Sequence, residues 1–188
     1  MAVVYFKRYR MQIDLRNREI EPGEVPAAYR LHAWRRRLIP AHAEAKCNSF
    51  KNELDAHVFP SLAHPEGCLR LMREIESRSG FVPQATWLLT WIDPQTGRRE
   101  HCGTVQGIHD QADLGSIQNI GIAAPHRGKG LGGLIIRHCL HGFQQVGVNF
   151  VGLEVTAVNL GAIRLYERIG FSTQRVVYKI VEVPTPKD

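Results

Sequence analysis

Ile120-Gly121-Ile122-Ala123-Ala124-Pro125-His126-Arg127-Gly128-Lys129-Gly130-Leu131-Gly132 runs from a strand-like segment through a glycine-rich loop into a stretch with helical apolar periodicity. A strand, a loop and a helix in that order gather backbone amides at a helix N-terminus, which suits an anionic ligand. A Cβ at Gly128, Gly130 or Gly132 would obstruct the approach of a phosphate to the backbone or forbid the dihedrals the turn needs. Arg127 and Lys129 add positive charge to the same turn. The stretch predicts an α/β fold that binds a phosphate-bearing ligand.

Two other phosphate-loop templates can be tried on these residues. The P-loop asks for Gly-x-x-x-x-Gly-Lys-Ser/Thr, but Gly128-Lys129 is followed by Gly130 and the leading position is Ala123. A dinucleotide fingerprint fits better, because Gly128-Lys129-Gly130-Leu131-Gly132-Gly133 satisfies Gly-x-Gly-x-x-Gly and Glu154 follows about 20 residues on. Against it, Pro125-His126-Arg127 separates the strand from the first glycine, and the stretch after Glu154 is short for a nucleotide domain. A dinucleotide-dependent oxidoreductase is therefore the formal competitor.

A second block lies downstream, Leu153-Glu154-Val155-Thr156-Ala157-Val158-Asn159-Leu160-Gly161-Ala162-Ile163-Arg164-Leu165-Tyr166-Glu167-Arg168-Ile169-Gly170-Phe171. Asn159 reads as an N-cap, Ala162, Ile163, Tyr166 and Ile169 recur at helical spacing, and Gly170 is placed to end the helix. Together the two blocks resemble the GNAT family of acyl-CoA-dependent N-acetyltransferases. The first matches the Arg/Gln-x-x-Gly-x-Gly/Ala signature that holds the pyrophosphate of coenzyme A, and the second matches Leu-x-Val, Asn and Ala-x-x-Leu-Tyr-Glu-Lys-x-Gly-Phe in order and spacing. The resemblance covers residues 84–183 well and residues 1–80 only in element order.

The resemblance implies a mixed, mostly antiparallel central sheet flanked by helices on both faces, with a splayed strand pair at the acyl-CoA site. It implies acetyl-CoA as acyl donor, held by Ile120, Ile122, Arg127, Gly128, Lys129, Gly130, Leu131, Gly132 and Asn159. Backbone groups of Ile120, Gly121 and Ile122 would polarise the thioester carbonyl and stabilise the tetrahedral intermediate formed when a primary amine attacks. Tyr166 would protonate the departing thiolate, and a base must take a proton from the amine. Where some family members carry a glutamate for that task, this chain has Ser116. Asp113 is the candidate base among the nearby residues, with His109 and a water on Gln118 as substitutes. The acceptor is a small-molecule amine or a peptide N-terminus, the block around Tyr166 being similar also to bacterial enzymes that acetylate ribosomal-protein N-termini. A non-catalytic acyl-CoA-binding module is the third reading.

The 188 residues are 44% hydrophobic, enough for one core, and residues 1–183 are expected to form one domain with Pro184-Thr185-Pro186 opening a loose tail over 184–188. No apolar run approaches a membrane span or a secretory signal, so a cytoplasmic protein is expected, with homodimerisation left open. Cys47, Cys68, Cys102 and Cys139 are scattered without a Cys-x-x-Cys, which predicts free thiols and no metal site. The net charge of +6 gathers in the run Lys7 to Arg18 and in Arg35-Arg36-Arg37; it favours an anionic cofactor, and no nucleic-acid motif accompanies it. The patterning further predicts strands over 3–13, 84–92, 100–108, 116–122, 149–155 and 175–183. Helices are expected over 26–39, 41–59, 66–77 and 131–146.

Overall fold

The structure, a computed structural model, describes residues 2–111 and 113–183; the expected tail over 184–188 lies outside the described residues. Strands β1 (Ala2–Asp14), β2 (Tyr29–Ala33), β3 (Phe81–Ile92), β4 (Arg99–Gln111), β5 (Leu114–Ile117), β6 (Gly121–Ile122), β7 (Phe150–Thr156) and β8 (Ser172–Val183) form one sheet. Its order is β2-β3-β4-β5-β7-β1-β8, with β6 paired to β4. β5 and β7 run parallel and the other described pairs are antiparallel. Helices α1 (Ile39–Phe50), α2 (Leu54–Val58), α3 (Pro65–Glu76), α4 (Leu131–Gln145) and α5 (Leu160–Ile169) complete the fold. No described helix is long and apolar enough to cross a membrane.

The two faces of β4 show how the layers form. Side chains alternate along a strand, so Gly107 and Thr104 point to opposite sides of the sheet. On one side α4 lays the fully buried Phe143 ring over Gly107 and Gly115, where any Cβ would stand 2.8 and 2.6 Å from ring carbons. On the other, α1 packs on β4 and β6 with α3 outside it, burying Ala43, Cys47, Cys68 and Met72. All four cysteines are buried free thiols.

Three stretches depart from the sequence expectation. Residues 26–39 do not form one helix. Tyr29, Leu31 and Ala33 alternate, and they pair with Trp91, Leu89 and Trp87 as an outer strand of the sheet. Pro40 opens α1 instead of interrupting a helix, since the first turn needs no N–H there. The expected helix over 41–59 breaks at a turn in which the Glu53 amide bonds the Phe50 carbonyl, giving α1 and α2. The strand over 116–122 is interrupted. Pairing with β7 stops at Ser116↔Gly152, and pairing with β4 as β6 resumes only at Gly121.

Against the sheet, α1 buries two polar side chains completely, His42 and Lys46. Lys46 Nζ donates to Gln106 Oε1 at 2.5 Å and to Asn119 Oδ1 at 2.9 Å, both neutral amides. Burial lowers its pKa from 10.5 to about 7. Between those values the unfolded chain holds the proton that the folded protein has lost, so this group makes stability rise with pH; below about 7 the cost of the buried charge is fully present. Lys46→Met removes that cost. The variant's stability relative to wild type should therefore be greater at pH 6 than at pH 9 by roughly 2 kcal/mol, measured by denaturant titration.

Candidate active site

Once β5 leaves β7, no described strand on that side pairs with Leu153–Thr156, whose other edge is bonded to β1. The Gln118 amide still reaches the Gln106 carbonyl at 2.8 Å, but the N–H groups of Asn119 and Ile120 meet no described backbone carbonyl. The opening widens into a cavity of about 1140 Å³. It is lined by residues 114–122 and 152–155, the glycine-rich loop, α5, Asp55, Phe59 and Arg8. Gly121 allows α1 to close one side, because a Cβ there would stand 2.6 Å from the Ser49 Cβ.

In the loop, Gly130 is the N-cap of α4 with φ +74°, a left-handed conformation that disfavours other residues. The first turn of this helix carries no acidic residue, and Gly128, Gly130, Leu131, Gly132 and Gly133 line the cavity. The two cations behave otherwise than expected. Arg127 donates to the Ile122 carbonyl at 2.8 Å, the Ser49 carbonyl at 2.9 Å and Glu53 at 2.6 Å, so its guanidinium pins the loop to α1 and β6. Lys129 does not line the cavity, and its ammonium lies 3.5 Å from Tyr29 Oη. Backbone amides and the helix dipole, more than side-chain charge, face the space.

Asn159 caps α5, its side chain accepting from the Ala162 amide at 3.2 Å, and it lines the cavity beside Ala162, Leu165 and Tyr166. Tyr166 is 7% exposed and packs on Phe171. Burial first, then the charge of Asp55, pushes its phenol well above the ordinary tyrosine range, while Arg8 acts in the opposite direction. Its hydroxyl therefore keeps its proton at neutral pH.

The base candidates separate. Asp113 does not belong to the cavity: it sits exposed in the β4–β5 turn at φ +65°, with Asn149 donating to it at 2.6 Å. His109 does not line the cavity either. Ser116 and Gln118 do, but they are paired to each other at 2.9 Å and carry no charge.

The carboxylates that do line the cavity are others. Asp55 Oδ1 accepts from Thr156 Oγ1 at 3.0 Å and from Arg8 Nη1 at 3.4 Å, and Oδ2 has no described hydrogen-bond partner. Glu154 holds Arg10 at 2.9 Å through Nε and lies 3.6 Å from Arg8 Nε. Arg8 is 6% exposed, donates to Thr156 Oγ1 at 2.9 Å and lies over the Phe59 ring. In sequence Arg8 and Arg10 are two members of a basic run. They reach the cavity because β1 lies next to β7, with Arg8 opposite Thr156 and Arg10 opposite Glu154.

The arrangement is a cleft in a mixed α/β sheet, opened between two parallel strands and lined by a glycine-rich helix entrance. Residues 54–171 match the model of the Acetyltransferase (GNAT) family, and the chain belongs to that family. It is 42% identical over 57 residues to a streptothricin acetyltransferase of Streptomyces lavendulae, covering 30% of each chain. It is 32% identical over 97 residues to a mycothiol acetyltransferase of Corynebacterium aurimucosum, covering 44% of this chain and 32% of that one. A GCN5-related N-acetyltransferase from Sphaerobacter thermophilus has the same fold, with a TM-score of 0.65 at 22% identity over 93% of this chain and 50% of that one. The matches thus span about a third of these curated relatives and half of that structure.

Arg8 is the buried cation that balances two carboxylates in the cavity lining. Removing one member of such a cluster leaves uncompensated charge, so Arg8→Met should lower unfolding stability by about 3 kcal/mol at neutral pH, read from urea denaturation.

Proposed function

We propose that this protein transfers the acetyl group of acetyl-CoA to a primary amine, on a small molecule or a peptide N-terminus. The observation that carries the reading is the cavity opened between β5 and β7, lined by a glycine-rich helix entrance, a buried tyrosine and a charged cluster. The residues fit the donor: an ideal Cβ on Gly128 or Gly130 would meet no atom within 4 Å, which leaves room for phosphate oxygens against the first turn of α4. Two relatives carry the names of small-molecule acceptors, streptothricin and mycothiol, which supports that acceptor class.

Acetyl-CoA supplies an acetyl group activated as a thioester. In this reading Gly128, Gly130, Leu131 and Gly132 hold the pyrophosphate through backbone amides, with Arg127 fixing the loop and Asn159 contributing from the α5 cap. The Ile120 amide has no described backbone partner, and in this reading it and the backbone of Gly121 and Ile122 face the negative charge developing on the carbonyl oxygen. Tyr166 holds its proton at Oη and gives it to the leaving sulfur. Asp55, a lining residue whose Oδ1 is oriented by Thr156 and Arg8 and whose Oδ2 has no described hydrogen-bond partner, takes the amine proton in place of Asp113. An oxidoreductase reading has no comparable support, since the matched family is an acetyltransferase family.

Acetyl-CoA binding and CoA-thiol release over an amine panel test the reading directly. Gly130→Val strains the left-handed cap and should weaken acetyl-CoA binding at least ~100-fold by calorimetry, through loss of charge-assisted amide bonds. Unchanged affinity in a folded variant would remove the loop from the donor site.

Positioned proton transfer is typically worth about 10²–10⁴-fold. Tyr166→Phe and Asp55→Asn should each lower kcat by that order while acetyl-CoA affinity stays nearly constant, whereas Asp113→Asn should leave kcat within about twofold. Steady-state kinetics with the best acceptor distinguishes these outcomes, and a near-normal Tyr166→Phe would return that ring to a packing role.

A further inference from the structure

The buried side of α1 makes a chain of hydrogen bonds that ends at the cavity. Thr104 Oγ1 accepts from Gln106 Nε2 at 2.5 Å and is hydrogen-bonded to His42 Nδ1 at 2.8 Å. The Gln106 oxygen accepts from Lys46, and Lys46 gives a second bond to Asn119 Oδ1. Of these five residues Asn119 alone lines the cavity.

A fully buried lysine is an expensive way to join two amides. No described carboxylate bonds Lys46, and an uncompensated ammonium in a dry interior is disfavoured by several kcal/mol. Two acceptors match the two N–H groups of the neutral amine, and the ammonium donates the same two bonds with one N–H left over. The groups facing Lys46 do not change charge near neutral pH. Burial holds His42, on the same helix, neutral with a pKa of about 3, and pushes the Cys68 thiol of α3 up to about 11. β4 presents Thr104 and Gln106, and β6 presents Gly121 and Ile122, none of which titrates.

At the far end of the chain the backbone leaves its ladders. Residues 118–120 have left β7; the Gln118 amide still bonds the Gln106 carbonyl of β4, but the Asn119 and Ile120 amides find no described backbone partner before β6 begins at Gly121. We propose that Lys46 is a positioning residue: through the Asn119 side chain it fixes the Asn119–Ile120 segment, and so aims the backbone groups of Ile120–Ile122 at the acyl donor. The inference rests on the acetyl-transfer reading of the cavity. It adds a tether on α1 that works in both protonation states of the lysine.

The test uses Lys46→Met, Asn119→Leu and the double variant, each checked for folding by thermal melting. Hydrogen exchange of peptides covering residues 115–123 in the free protein should quicken about tenfold in either single variant and no further in the double. At saturating substrates kcat should fall roughly 10–100-fold, with acetyl-CoA affinity within about threefold because the 128–132 loop is untouched. Unchanged exchange, unchanged kcat, or effects that add in the double variant would each overturn the proposal. If Lys46→Met does not fold, Asn119→Leu decides by the same two readouts. Should the wild-type protein release no CoA thiol with any amine, the acetyl-transfer reading fails, while the exchange data still show whether Lys46 restrains the segment.

Discussion

The parting of two neighbouring strands governs this molecule. β5 and β7 are hydrogen-bonded from Leu114↔Phe150 to Ser116↔Gly152 and then separate, while each keeps its partner on the other side. A sheet interior rarely leaves backbone donors and acceptors without partners, because each unpaired group out of water is costly. The free groups must face either solvent or a ligand, and here they face the cavity. The strand on one side of the gap therefore needs other restraints. Arg127 bonds the Ile122 carbonyl, Lys46 bonds Asn119, and α1 presses close over Gly121.

Charge is arranged around the gap by the same logic. Near the glycine loop the cationic side chains are already occupied, Arg127 with Glu53 and two carbonyls, so the cavity there is lined by oriented amides. Elsewhere in the lining Arg8, Arg10, Asp55 and Glu154 neutralise one another across β1, β7 and α2. Burial keeps the Tyr166 phenol in the same lining protonated.

How legible this was in the sequence follows from how local each signal is. The Gly128–Gly132 loop, the α4 helix, the Asn159 cap and the Gly170 stop are written in neighbouring residues, and each stands where the spacing puts it. Leu31, Trp34 and Leu38 have helical spacing, while the partner that makes Tyr29–Ala33 extended, β3, lies far along the chain. The gap after Ile117 leaves no local mark, since Gln118-Asn119-Ile120 continues a strand-like run. Asp55 and Arg8 were missed for the same reason. A carboxylate on a five-residue helix and an arginine in a basic stretch become neighbours only through the pairing of β1 with β7.

That pairing also bears on how the chain reaches its native state. β1 lies inside the sheet, between β7 and β8, and Arg8 meets Thr156 across 148 positions of sequence. On a ribosome, β1 emerges before either strand that flanks it, and the backbone of Arg8–Asp14 and the buried Met11 and Ile13 stay uncovered until β7 and β8 have been synthesised. The β2–β4 meander and α4 rely on closer contacts and can assemble earlier. The Arg8 part of the cavity thus waits for the last strands, and a polypeptide stalled before residue 150 would present a β-prone segment to chaperones and to other nascent chains.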